Sequence, residues 1–160
     1  MRGRLARGAA LLALLLFTAL ACPPTFAATA ADELLALHQK VLRAHRESRV
    51  ELLMEDEAAD YVVANRGEIT RPTLTERRER FSKYFSGTVF SEYQDLAEPV
   101  VTTSADGTLG WVVAQVKARG LQASPSGEKE PLEFVSAWIE LYQQRRGRWW
   151  RTGNVSNFRP

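Results

Sequence analysis

Four carboxylates crowd into six positions, Glu55, Asp56, Glu57 and Asp60, and Tyr61 follows directly. Acidic residues at that density can hold a divalent cation or divide acid and base roles between them. On a helix, however, neighbouring side chains point about 100° apart. Glu55, Asp56 and Glu57 therefore diverge, and a metal would need a second supplier. The only histidines are His38 and His45, and the only cysteine is Cys22. Two turns of helix separate the histidines by about 10.5 Å along the axis, too far for one ion. No metal and no cofactor is expected. The acidic run reads as a solvated helix end handing over to a strand, with Asp60 kept as a reserve catalytic carboxylate because it starts that strand. The two histidines read as ordinary helix residues.

Other chemical signals are sparse. No Gly-x-Ser-x-Gly occurs, so a familiar nucleophile signature is missing. Residues 145–151, "RRGRWWR", mix four arginines with two tryptophans, a composition that could stack on nucleic acid. The preferred reading is a hairpin in which Gly147 makes the turn and Trp149 or Trp150 fills the core. Glu140 lies between Trp138 and Tyr142 at strand spacing. Buried there, its pKa would rise, as acid/base work requires; the plainer and preferred role is cross-strand partner of Arg151.

The first residues are of a different kind. "MRGRLARG" is basic, residues 9–21 are an apolar run of 13, and "CPPTFAATAADE" supplies breakers and small residues. That is the three-part order of a secretory signal, and the run is too short to span a membrane. Residues 1–27 are thus assigned as a signal peptide, with a second cleavage choice after Ala30. The expected location is outside the cytoplasm, periplasmic or secreted, in a bacterium. A lipid anchor at Cys22 is the disfavoured rival, since Ala19 and Leu20 fit a lipobox poorly. Removing residues 1–27 takes away Arg2, Arg4 and Arg7, so 21 basic residues become 18 against 19 acidic ones. That balance gives no reason to expect a nucleic-acid partner.

Periodicity sets out the remainder. Residues 32–48 read as an amphipathic helix carrying Leu34, Leu37, Val41 and Ala44, and residues 49–59 as a shorter one. Residues 60–65 are β-prone. Thr73 and Glu76 form a capping box for a third helix with Leu74, Phe81 and Phe85 on its stripe. Period-two segments follow: 88–103, as one strand or two broken near Pro99, then 108–121, 132–144 and 148–158. Helices followed by a meander indicate an α+β domain with helices on one sheet face. The expected inner face is aliphatic: Val112, Ala114 and Val116 together with Val135, Ala137, Ile139 and Leu141. Trp111, Gln115 and Lys117 are grouped opposite, with Phe134, Ser136, Trp138, Glu140 and Tyr142.

Three pieces, in this order and spacing, resemble the nuclear-transport-factor-2-like superfamily, specifically its SnoaL-like bacterial branch. They are "LLMEDEAADYVVANRGEI", "TLTERRERFSKYF" and "AWIELYQQRRGRWWRTGNV". The resemblance covers residues 32–158. It implies a cone-shaped curved antiparallel sheet wrapped around N-terminal helices, often dimeric, with a pocket at the wide mouth. It does not imply one function, because members include isomerases, cyclases, dehydratases, toxin-immunity proteins and scaffolds. Ketosteroid isomerases of the superfamily carry a carboxylate just before the glycine turn. This chain has Asn65 there, which can position a ligand but cannot abstract a proton. No histidine follows His45, so dehydratases using sheet histidines are not matched. SnoaL-like cyclases use a sheet carboxylate, which leaves Glu140 as the catalytic candidate.

The expected function is binding of a small apolar molecule in the cone, with the balance leaning away from an enzyme. Tyr61, Phe81, Trp111 and Trp138 are assigned as walls, with Asn65, Gln115 and Asn154 orienting the ligand. The alternatives are an acid/base isomerase or cyclase using Glu140, and a homodimeric interaction module without an active site.

Overall fold

A computed structural model describes residues 28–159. The signal segment, with Cys22 and the cut after Ala27, lies outside them. Helix α1 (Ala30–Arg46) starts two residues before the expected Asp32 because Thr29 and Asp32 cap it reciprocally. The Asp32 N–H donates to the Thr29 hydroxyl at 3.2 Å, and the Thr29 N–H donates to the Asp32 carboxylate at 2.9 Å. Such a box satisfies two donors that a helix start otherwise leaves open. Helix α2 (Val50–Met54) is shorter than expected. Strand β1 (Glu57–Asn65) takes over early, because Glu57 already pairs with Arg151 on the last strand.

A two-residue turn, Arg66-Gly67, leads into β2 (Glu68–Thr70). Both residues have positive φ, 53° and 81°, the type I′ geometry that matches strand twist. Helix α3 (Leu74–Gly87) has the expected Thr73–Glu76 box. The segment around Pro99 divides β3 (Thr88–Asp95) from β4 (Val100–Thr103). The long strands β5 (Leu109–Ala123) and β6 (Lys129–Arg145) follow. Arg146-Gly147 then makes a second turn of the same type into β7 (Arg148–Arg159).

The strands form one seven-stranded sheet in the order β2-β1-β7-β6-β5-β3, with β4 also paired to β5. The sheet is open and curved. It is mixed rather than wholly antiparallel, since β1 and β7 run parallel. Bulges lie in β3 between Phe90 and Glu92 and at Leu141/Tyr142 in the β6–β7 ladder, and bulges of this kind bend a strand. Gly120 lies opposite the first of them; a Cβ there would collide with the carbonyl oxygen of Val89.

Register overturns the expected division of faces. Val112 stands opposite Glu140, Ala114 opposite Trp138 and Val116 opposite Ser136. Directly opposed residues share a face. The helix-covered face therefore carries Val112, Ala114 and Val116 with Ser136, Trp138, Glu140 and Tyr142, all buried. Val113, Ile139 and Leu141 fall with Trp111 and Gln115 on the outer face. The five-residue loop that joins Ala123 to its partner Lys129 sets this parity. One residue more or fewer would turn every β6 side chain over. The helices do lie against a tryptophan-bearing surface, because α1 brings polar partners for it. The main core joins Val41, Leu42 and Ala44 of α1 to Leu53, Phe85, Phe90, Tyr93, Ala114, Val116 and Trp138.

Candidate functional site

Six ionisable side chains, acid and base alternating, one from each of six elements, cross the interior. Asp95 (β3) meets His38 Nε2 (α1) at 2.9 Å, and His38 Nδ1 meets Glu140 (β6) at 3.3 Å. Arg151 (β7) lies 3.6 Å from Glu140 and donates to Glu57 (β1) at 2.6 Å. Arg77 (α3) donates to the other Glu57 oxygen at 2.7 Å, and to the carbonyls of Ala58 and Pro72. All are buried except Asp95, which keeps partial contact with water. Tyr61 lies under this array, its ring 4.4 Å from the Arg77 guanidinium carbon.

The network decides the state of Glu140. Burial pushes its pKa up, but the His38 hydrogen bond, the Arg151 charge and the Tyr142 hydroxyl together hold it below the ordinary carboxylate value. The expected rise does not occur. Trp138 Nε1 donates to one oxygen at 3.1 Å and the Tyr142 hydroxyl to the other at 2.7 Å. His38 is raised above the ordinary imidazole value: burial opposes its charge, and the Glu140 and Asp95 carboxylates overcome it. Glu140 is thus the partner of Arg151 that its sequence position suggested, inside a larger set.

His45 behaves oppositely. Its Nδ1 lies 2.8 Å from the Val41 carbonyl. A carbonyl can only accept, so Nδ1 carries the proton and Nε2 is a bare lone pair. The ring stacks on Tyr93, with centroids 4.4 Å apart, and meets Phe81, Phe85 and Phe90 edge-on. Burial among these rings pushes its pKa down to about 4.

A cavity of about 460 Å³ opens beside this network. Exposed or half-buried Asn65, Arg80, Phe81, Tyr84, Asn154 and Ser156 line its mouth, and buried His45, Tyr61, Tyr93, Trp138, Glu140 and Arg151 its floor. Of the residues expected in the pocket, Tyr61, Asn65, Phe81, Trp138 and Asn154 line it. Trp111 and Gln115 do not, because the β5–β6 register turns them outward. Asp60 is exposed and held by Arg145 at 2.8 Å, away from the cavity.

The acidic run and the arginine-tryptophan run answer each other where the start of β1 meets the β6–β7 hairpin. Asp56 pairs with Arg148, Glu57 with Arg151, and Asp60 with Arg145. Glu57 is therefore buried, not part of a solvated helix end. Trp149 is in the core and donates to Glu33 at 2.9 Å. Among the described residues no group of three or more His, Cys, Asp or Glu is placed to hold a metal ion.

Sequence reasoning missed His38, His45 and Arg77 as interior groups. The signal was their position. His38 and His45 continue the Leu34–Val41 stripe of α1, and Arg77 falls between Leu74 and Phe81 on α3. A charged residue at a core-facing position needs a buried partner.

No protein-family model and no curated protein matches the sequence. Solved structures do match. A nuclear-transport-factor-2-like protein from Cytophaga hutchinsonii is 16% identical, with TM-score 0.62 over 79% of this chain and 95% of its own. An uncharacterised protein with a cystatin-like fold from Caulobacter vibrioides is 18% identical, with TM-score 0.63 over 82% and 90%. A ketosteroid isomerase-like protein from Erwinia carotovora atroseptica is 18% identical, with TM-score 0.60 over 79% and 93%. The chain has the nuclear-transport-factor-2-like fold.

The histidines give stability a pH dependence of known sign. The depressed His45 contributes stability that is present above its ordinary 6.5 and lost as pH falls to about 4, a span of about 3 kcal/mol. The raised His38 works the other way: its contribution is present below 6.5 and lost as pH rises through its folded value. Thermal melts should therefore show a falling midpoint between pH 6.5 and 4, and His45→Phe should flatten that limb. An unchanged limb in the variant would contradict the assignment.

Proposed function

We propose that the chain binds a small, largely apolar molecule in the cone. The observation that carries this reading is the open cavity of about 460 Å³ between α3 and the sheet, with aromatic rings around it. Its size fits small-molecule sites, which run from about 300 to 1,000 Å³. The competing acid/base reading requires Glu140 to exchange a proton with a ligand. Three donors, from His38, Trp138 and Tyr142, already converge on that carboxylate with the Arg151 guanidinium 3.6 Å away, and its pKa is lowered. Both facts support a counter-ion for Arg151 and His38 instead.

Isothermal titration with 1-anilinonaphthalene-8-sulfonate tests the binding reading. One molecule should bind per chain. Val63 of β1 also lines the cavity, and Val63→Trp, which narrows it, should weaken binding at least about tenfold, an effect of roughly 1.4 kcal/mol. Val113→Asp on the outer face should leave it unchanged. Equal loss in both variants, or none in either, would count against the cavity as the site.

A second reading, compatible with the first, is a homodimer through the outer sheet face. Trp111, Val113, Leu141 and Val155 are 37–44% exposed there, and clustered apolar side chains on one face suit an interface. Sedimentation velocity should show a dimer that Leu141→Asp converts to monomer; a monomeric wild type would refute it.

Export is part of the same proposal, and the α1 cap bears on the cut. Cleavage after Ala30 would remove Thr29 and its box, costing α1 about 1 kcal/mol. Cleavage after Ala27 keeps it. The intact mass of exported protein should correspond to an N-terminal Ala28; a mass starting at Ala31 would reject this choice.

A further inference from the structure

We infer that the cavity takes a flat apolar ligand bearing a hydroxyl group, and that this hydroxyl is held at the floor by donating to Nε2 of His45. The inference rests on the ligand-binding reading above and narrows it to a chemical class. His45 lines the cavity and is 8% exposed. The Val41 carbonyl fixes its tautomer, so Nε2 can only accept. Nε2 has no partner among the described residues, yet the one sealed side-chain polar atom lacking a partner there is Thr88 Oγ1. The His45 lone pair therefore opens onto the cavity rather than into packed protein.

The surroundings select among donors. Arg151 lowers and Glu140 raises the His45 pKa, so the charges nearby oppose each other and do not call for a charged donor. The Glu140 carboxylate also faces the cavity, but Trp138, Tyr142, His38 and Arg151 already occupy it. The neutral alternatives are N–H and O–H. Tyr61 and Tyr93 are both buried, line the cavity, and have no hydrogen-bond partner for their hydroxyls among the described residues. Burial holds both phenols well above their ordinary value, so they remain donors. A ligand hydroxyl both donates and accepts, and can satisfy His45 together with a tyrosine, whereas an N–H can serve only His45. Phe81, Trp138 and the rings of Tyr84 and Tyr93 supply flat apolar walls for the body of the molecule. A site built to meet a hydroxyl rejects the analogue without it, because its own polar groups are then left unpaired.

The test compares 2-naphthol with 2-methoxynaphthalene, which keeps the oxygen as acceptor but loses the donor. Titration calorimetry on the full chain should give 2-naphthol about tenfold tighter binding. His45→Phe should bring the two affinities together by weakening 2-naphthol alone. A measurement on the unaltered protein guards against a variant that misfolds. In long-range proton–nitrogen spectra, the Nε2 resonance of His45 should shift with 2-naphthol and stay with 2-methoxynaphthalene. Equal affinities, or an Nε2 resonance indifferent to both, would overturn the hydroxyl inference while leaving the binding cavity in place. No binding of either compound up to about 1 mM would overturn both.

Discussion

The interior of this fold is organised by a row of alternating acidic and basic side chains, Asp95, His38, Glu140, Arg151, Glu57 and Arg77. Each comes from a different helix or strand, so no member can move without stranding a neighbour. Ion pairs buried in this way add little net stability over a well-packed apolar core. Removing one member, by contrast, leaves an uncompensated charge and typically costs about 3–5 kcal/mol. The row therefore specifies an arrangement more than it supplies binding energy. It ties β1 to β7 through Glu57 and Arg151, and holds α1 and α3 to the sheet through His38 and Arg77.

The same row explains why the cone has a hollow. Charged and hydrogen-bonded side chains hold fixed positions relative to one another and cannot collapse onto apolar neighbours as leucines would. Glu140 and Arg151 form part of the cavity floor, and Arg77 and Glu57 line it too. Phe81 and Tyr84 of α3 stand at the mouth, and Tyr93 of β3 and Trp138 of β6 share the floor. His45 is the exception within the polar set: burial among aromatic rings keeps it neutral, and it belongs to the aromatic side of the cavity rather than to the ionic side.

Much of the architecture is legible in residue order. Capping residues mark α3, the shift from period 3.6 to period 2 separates helices from sheet, and Gly147 marks the last hairpin. The Thr29 box was hidden by reading the helix from its first acidic residues, Asp32 and Glu33. Face assignment failed for β6 because alternation alone fixes two sets without saying which is inside. The decisive quantity is the parity of the pairing across residues 124–128, and only the folded loop reveals it. The pocket was legible where strand position settled direction, as at Tyr61, Asn65 and Asn154. It was misread at Trp111 and Gln115, where register decided. Glu57 and Arg151 show the limit from the other side. Each sits in a run that looks like surface charge, and only their juxtaposition across 94 residues makes both interior.

That separation has a temporal meaning. β1 is the third element of the described chain, and its parallel partner β7 is the last. The link between β1 and the rest of the sheet, and the second counter-ion of Glu57 beside Arg77, must wait for β7 to arrive. Contacts so remote along the chain form late, since a long loop must close first. Until β7 has been made, β1 and β2 have no place beside β6, and the two parts of the sheet stay apart.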